Sequence, residues 1–326
     1  MTPIVSIITP SFNRADLLIE TANSIFQQTY PYWEWVVVDD GSTDDTASLF
    51  DKWTKEDHRV RFFHRHHEPR GACSCRNIGL KHARGEYVIF LDSDDLLNPT
   101  CLKQRIEVFQ FNNDLDFIVF QGVIFNSINE KRTYWNIDTG NYLENFFNFN
   151  STWQTSGPIW KTKSLLNNSL NWDENLAIWQ DVDFHINALL KKMKFKLFFE
   201  MPHDYYIRQD SGNSVSRKNL NEPVKLISRQ YFFNKYYSQI DLTIPPWYLY
   251  ASFFSLLKIY SYHKDFNAIN YFLSQGVQKN IICNKVFKKL KFLFLFNKLF
   301  NANFLTVKWE KYILINSTIG KIILKC

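Results

Sequence analysis

Three carboxylates, Asp92, Asp94 and Asp95, crowd into four positions where the apolar run of YVIFLDSDDLL (87–97) stops abruptly. Like charges this close repel, so a chain gathers them at a strand end when a cation neutralises them. Oxygen ligands suit Mg²⁺ or Mn²⁺, and such an ion takes one or two protein carboxylates and fills its shell with water and substrate phosphates. A solvated acidic turn capping a helix that begins near Asn98 and Pro99 has the same composition, and the segment alone does not separate the two readings. A second acidic cluster, WQDVDF at 179–184, opens an apolar helical pattern that runs to Leu190. Asp181 and Asp183 are two apart, so on a helix they face different ways and one site can use only one of them.

The elements that would position these groups are legible as alternating runs. Short strand-like segments at 5–9, 35–38, 59–65 and 87–91 alternate with helix-like stretches at 15–28, 43–53 and 74–83, the second with Ser42 as its expected cap. This order predicts βαβ units, hence an α/β protein with a mostly parallel central sheet covered by helices on both faces. Ligands in such sheets bind outside the carboxyl ends of the strands, which would gather residues 10–14, 39–42 and 92–95 in one place. Beyond residue 100 the segments lengthen and grow more aromatic, with a strand expected at 116–123 and a mixed polar-aromatic stretch at 153–160.

With 326 residues, 45% of them hydrophobic and 17% aromatic, the chain is a core-former large enough for one substantial domain and an appendage. Its five cysteines fit no zinc or disulfide framework, so a reducing compartment is expected, with Cys73 and Cys75 as small packing residues. The amino terminus lacks the charged lead and apolar core of a secretory signal, and no segment reaches the roughly 20 apolar residues of a membrane span. From 258 to 326 there are 12 Lys and no Arg against Asp265 and Glu310. That Lys- and Phe-rich composition suits an anionic membrane surface, with an ordinary helical subdomain bearing a solvated Lys face as the bland alternative. Nucleic acid is not an expected partner, because no nucleic-acid motif accompanies the charge.

Four segments carry a resemblance: VSIITPSFNRADLLIETANSIFQQTY, WEWVVVDDGSTDDT, GACSCRNIGLKHARGEYVIFLDSDDLLNP and WQDVDF. In this order the chain resembles the family 2 glycosyltransferases, inverting enzymes of the GT-A fold, of the type that builds bacterial surface polysaccharides. The resemblance implies a GT-A nucleotide-sugar domain over 1–215; residues 216–326 carry no family signature and are expected, from charge and aromatic content, to form a basic, mainly helical region that docks on a membrane surface or a partner. Pro10, Ser11, Asn13 and Arg14 would line the nucleotide pocket, Asp39 would accept from the nucleobase, usually uracil, and Asp40 and Gly41 would shape that turn. Arg76 and Asn77 would approach the nucleotide. Asp92 would face the ribose and Asp94 the metal on the diphosphate, with Asp95 and Asp92 sharing the ligation. Asp181 would be the catalytic base.

Trp153, Thr155 and Ser156 fall where the family places acceptor-facing residues, although the Trp ring suits the core equally well. Arg208, Ser214 and Ser216 would hold phosphate or close over the donor. The implied cofactor is Mn²⁺ or Mg²⁺. The implied partners are a UDP-sugar and a saccharide or lipid-linked acceptor, met in the cytoplasm by a protein peripheral at the inner membrane face, as a monomer or a homo-oligomer. Gln180 stands where the family commonly has Glu, and Gln209 or Asp210 where it often has His. Two alternatives are a nucleotidyltransferase, which would need a glycine-rich phosphate loop where this chain has PSFNR, and a non-catalytic membrane-associated scaffold, against which the full set of acidic positions argues.

Overall fold

The computed structural model describes residues 5–65, 68, 70–125, 133–135, 140–209, 222–240 and 242–300. The chain opens with β1 (Val5–Ser11), α1 (Ala15–Phe26), β2 (Trp33–Asp39), α2 (Thr46–Glu56), β3 (Val60–His64), α3 (Ala72–His82) and β4 (Tyr87–Phe90). It continues through β5 (Leu96–Leu97), α4 (Cys101–Gln110), β6 (Phe117–Phe120), β7 (Gly122–Phe125), β8 (Thr133–Trp135), α5 (Tyr142–Phe147), β9 (Pro158–Lys161) and α6 (Thr162–Asn167). Then come α7 (Gln180–Leu190), β10 (Phe195–Phe198) and β11 (Tyr205–Arg208), followed by α8 (Pro223–Tyr237), α9 (Tyr250–Tyr262), α10 (Phe266–Gln278) and α11 (Asn284–Phe300).

Seven strands form one sheet in the order β10-β6-β9-β4-β1-β2-β3, parallel except for β9, which runs against β4 and β6. β1 and β2 are buried along their whole length, which is why they read as mainly apolar runs rather than alternating ones, and the buried Ser6 of β1 donates to Glu34 of β2 (2.6 Å). The strand order turns at β1, with β4 on one side and β2 on the other, so their carboxyl ends flank a crevice. The expected α/β architecture with a mostly parallel sheet and a helical C-terminal region is what the chain adopts.

Two local expectations differ. The strand predicted at 116–123 is two strands: β6 belongs to the main sheet, and after Gln121 the chain enters β7 in a four-stranded sheet ordered β5-β11-β7-β8. Gly122 permits the crossing, because a Cβ there would collide with the Tyr205 ring of β11. Helix α2 begins at Thr46, three residues later than predicted, and Asp44 rather than Ser42 secures it, its Oδ1 accepting from Thr46 N (3.1 Å) and Oγ1 (2.6 Å).

The chain divides into two compact units, Met1–Phe146 with Asn150–Leu220, and Phe147–Phe149 with Asn221–Cys326. The second has its own apolar core, in which the rings of Phe233, Phe253 and Phe272 meet at centroid distances of 4.7 to 6.1 Å. Among the described residues no helix is long and apolar enough to cross a membrane.

Candidate active site

Helix α1 holds the acidic turn from behind. Thr21 Oγ1 donates to the carbonyls of Ser93 (3.1 Å) and Asp95 (3.0 Å), and Ser24 Oγ accepts from Leu97 N (3.2 Å). Gln28 accepts from Leu102 N and donates to the Asn98 carbonyl. Thr21 and Ser24 share the inward face of the helix with Leu18, Ala22 and Ile25, and Gln28 follows just past its end. Reading the sequence missed them; the available signal was polar residues recurring inside an apolar stripe.

Held this way, the three aspartates diverge. Asp95 is buried and both its oxygens are engaged, Oδ2 accepting from Ser156 Oγ (3.0 Å) and Oδ1 from Arg208 N (3.1 Å). Asp94 lies a third exposed, with Arg14 4.0 Å away. Burial first, and then the charge of Asp92, raise the Asp94 carboxyl above its ordinary value. Burial and the neighbouring aspartates raise that of Asp95 well above it.

Asp92 turns toward Arg76, which joins the two acidic clusters. The nearly buried Arg76 donates from Nη2 to Asp92 Oδ1 (2.5 Å) and from Nη1 to Gln180 Oε1 (3.4 Å), and its guanidinium lies 4.3 Å over the Trp172 ring. Asn77 fixes that Trp: its Oδ1 accepts from Trp172 N and its Nδ2 donates to the Trp172 carbonyl, both at 2.9 Å. Glu174, unanticipated from the sequence, accepts from Asn77 Nδ2 (2.8 Å) and Ser74 Oγ (3.0 Å). Asn77, expected near the nucleotide, is thus 8% exposed and occupied in holding the loop that stacks on Arg76.

Asp181 sits in the first turn of α7, behind Trp179, whose left-handed backbone (φ 62°) strains the entry to the helix. Its carboxyl is raised above its ordinary value, chiefly by burial, with the negative charge of Asp92 adding and Arg76 opposing. Asp92, Arg76 and Asp181 therefore lie within one another's fields at the carboxyl end of the sheet. Asp183 is fully buried and accepts from Asn187 Nδ2 (3.0 Å), so of the two carboxylates Asp181 is the one with exposure.

The first two loops are stitched together at the other side of β1. Asp40 N donates to the Ser11 carbonyl (2.8 Å), Asn13 N to Ser42 Oγ (2.8 Å), and Thr43 N to Asn13 Oδ1 (2.8 Å). Both Asn13 (φ 50°) and Gly41 (φ 89°) take left-handed backbone to make these turns. Asp39 is 2% exposed and closes its own loop by accepting from Gly41 N, Ser42 N and Ser42 Oγ. Asp40 pairs with Arg65. Pro10 and Ser11 are buried at the end of β1, and Ser11 Oγ has no protein partner among the described residues.

The remaining candidates separate. Trp153 is fully buried among Phe146, His185 and Phe195, at centroid distances of 4.8 to 5.7 Å, so its ring is a core element and presents no face to a sugar. Thr155 and Ser156 are also buried, the latter committed to Asp95. Arg208 reaches the turn, donating from Nε to the Asp94 carbonyl (3.1 Å) and from Nη2 to Glu20 (2.6 Å). Ser214 and Ser216 lie outside the described residues. Cys73 and Cys75 are buried thiols pushed up by burial to about 12, consistent with packing rather than nucleophilic roles.

Residues 6–173, just over half of the chain, match the family described as Glycosyl transferase family 2, and the chain belongs to that family. Over 95 residues it is 41% identical to the GalNAc(5)-diNAcBac-PP-undecaprenol beta-1,3-glucosyltransferase of Campylobacter jejuni, covering 29% of this chain and 31% of that protein. The chain spans between 20% and 41% of the length of the first curated relatives it matches. Among solved structures it is similar to S. aureus TarS 1-349 in complex with UDP-GlcNAc, with a TM-score of 0.60 and 20% identity over 85% of this chain and 82% of that one. It is also similar to the mannosyltransferase PcManGT of Pyrobaculum calidifontis in complex with GDP-Man and Mn²⁺, with a TM-score of 0.53 and 18% identity over 90% and 85%. These structural likenesses establish the shared fold.

Proposed function

We propose that the protein is an inverting glycosyltransferase that moves a sugar from a UDP-sugar to a hydroxyl of a saccharide or lipid-linked saccharide. The observation that carries this reading is the Arg76 link, which draws Asp92 at the end of β4 and Asp181 at the start of α7 into one electrostatic site. In an inverting transfer the acceptor hydroxyl attacks from the face opposite the departing nucleotide, so a carboxylate must stand on the acceptor side to take its proton. Asp181 fills that role, and its raised pKa brings it nearer the working pH of a general base. Gln180 accepts from Arg76 without placing a second charge beside the base.

The donor side belongs to the first two loops and the acidic turn. Asp39 and the loop at 10–14 would line the nucleotide, and Arg14 and Arg208 are the cations beside the turn. The turn fits a divalent ion shared with the substrate. Asp94 is a partly exposed carboxylate whose charged form is disfavoured first by burial and then by its neighbour Asp92, a condition a cation relieves, and Mg²⁺ or Mn²⁺ needs only one or two such ligands when a diphosphate supplies others. Asp94 would hold the ion with Asp92 beside it, and the bound metal would supply charge neutralisation at the leaving diphosphate. Asp95, with both oxygens engaged internally, fits as a brace for the turn and not as a ligand.

The UDP donor is supported by the likeness to TarS, the metal by that to the mannosyltransferase, and the lipid-linked acceptor by the Campylobacter relative. A lipid-linked acceptor would place the working protein on the cytoplasmic face of a membrane. The test is UDP release across a panel of UDP-sugars with and without Mn²⁺. Asp181→Asn is expected to lose about 10² to 10⁴-fold in kcat while keeping donor affinity in calorimetry. Unimpaired transfer by this variant removes Asp181 as the base.

A further inference from the structure

We infer that the exposed face of α11 is a docking surface for anionic membrane lipid, a deepening that rests on the lipid-linked acceptor reading above. Between residues 222 and 300 the sequence carries eleven Lys and Arg against Glu222, Asp241 and Asp265. Glu222 pairs with Lys225 (3.6 Å), and Asp265 caps α10 by accepting from Ala268 N (2.9 Å). Helix α11, NKVFKKLKFLFLFNKLF, contains no carboxylate at all.

Its side chains sort by face. Leu290 and Phe294 are buried at 5% and 6% exposure and anchor the helix to its unit. Lys285, Lys288, Lys289 and Lys291 are exposed, and Phe292 is 67% exposed. At 3.6 residues per turn these five fall within an arc of about 160° opposite the anchoring residues, with Phe292 among the lysines. A cationic face with an aromatic residue at its centre matches a lipid surface on both counts: the ammonium groups meet phosphate headgroups, and the ring enters the boundary with the acyl chains. Duplex nucleic acid would meet the ammonium groups with its phosphates, but with its bases stacked inside it would give the exposed ring no apolar medium to enter.

The experiment is co-sedimentation of the full chain with vesicles of phosphatidylcholine alone or with about a third phosphatidylglycerol. Binding is expected to the anionic vesicles alone and to weaken as salt shortens the screening length from about 10 Å at 0.1 M toward 3 Å at 1 M. Each lysine near an anionic surface is worth about a five-fold change in partitioning, so the quadruple variant Lys285→Gln, Lys288→Gln, Lys289→Gln and Lys291→Gln should lose well over ten-fold. Phe292→Ala should lose several-fold with the charge intact and the fold least disturbed. A matched variant with Lys52, Lys81, Lys103 and Lys163 changed to Gln on the other unit should bind like the parent. No binding by the parent, undiminished binding by the α11 variants, or an equal loss in the matched variant overturns the inference. Donor turnover with a soluble acceptor is scored separately, so loss of turnover with vesicle binding intact sinks the enzymatic reading alone.

Discussion

In the proposed reaction Arg76 would serve both the donor and the acceptor side, and its removal tells them apart. Its charge lowers the Asp181 carboxyl against the raising effects of burial and Asp92. Replacing it by Met removes a nearby cation, so the Asp181 pKa rises further and the acidic limb of kcat/KM moves to higher pH, with reduced activity throughout. An acidic limb that stays in place dissociates Arg76 from the base. Asp94 gives a prediction of opposite sign for stability. Its carboxyl is raised in the folded protein, so below the unfolded value of about 4 it is protonated in both states and carries no penalty. Stability is lost as pH rises through the folded value and the loss is complete above it. Asp94→Asn is therefore expected to melt higher than the parent at about pH 8 and equally at about pH 3, while gaining less than the parent from added UDP and Mn²⁺. A variant melting at or below the parent at about pH 8 contradicts this. Individual residues were legible where chemistry crowds them together, as at 92–95, and hidden where a single polar group works from inside an apolar face, as at Thr21.

At the scale of elements, the turn is clamped from three directions: α1 through Thr21, β11 through the Arg208 backbone, and the 152–157 segment through Ser156. Behind that clamp lies the ion pair of Arg105 on α4 with Asp204 just before β11, bidentate at 2.7 and 2.8 Å and essentially unexposed on both sides. Arg105 also donates to the Ser156 carbonyl (3.0 Å), so one buried guanidinium ties α4 to two arms of the clamp. Truncating one partner strands the other charge in the interior. Arg105→Met alone is expected to cost about 3–5 kcal/mol in denaturant unfolding, and Arg105→Met with Asp204→Leu to recover much of that loss. A double variant no more stable than the single one would mean the pair is net stabilising. Early strands and helices were legible because βαβ units write their period into the sequence. The division of 116–123 between two sheets was not, because an apolar run reports extended backbone and says nothing about which partner strand it joins.

Across the whole molecule, charge is distributed by region: the lysines gather beyond residue 258, while the acidic clusters lie before residue 184. Composition made that asymmetry plain, but which face of α11 shows its lysines depends on packing within the second unit. The single-residue passage at Gln121 has a mechanical corollary. β6 pairs with β10 in the large sheet, and β7, one residue on, pairs with β11 in the small one. With no spare length between them, tension applied to either sheet passes directly into the other. Under force the first unit should yield in a single rip rather than two, with β11 held to β7 along Tyr205–Arg208 and to the acidic turn through Arg208 N.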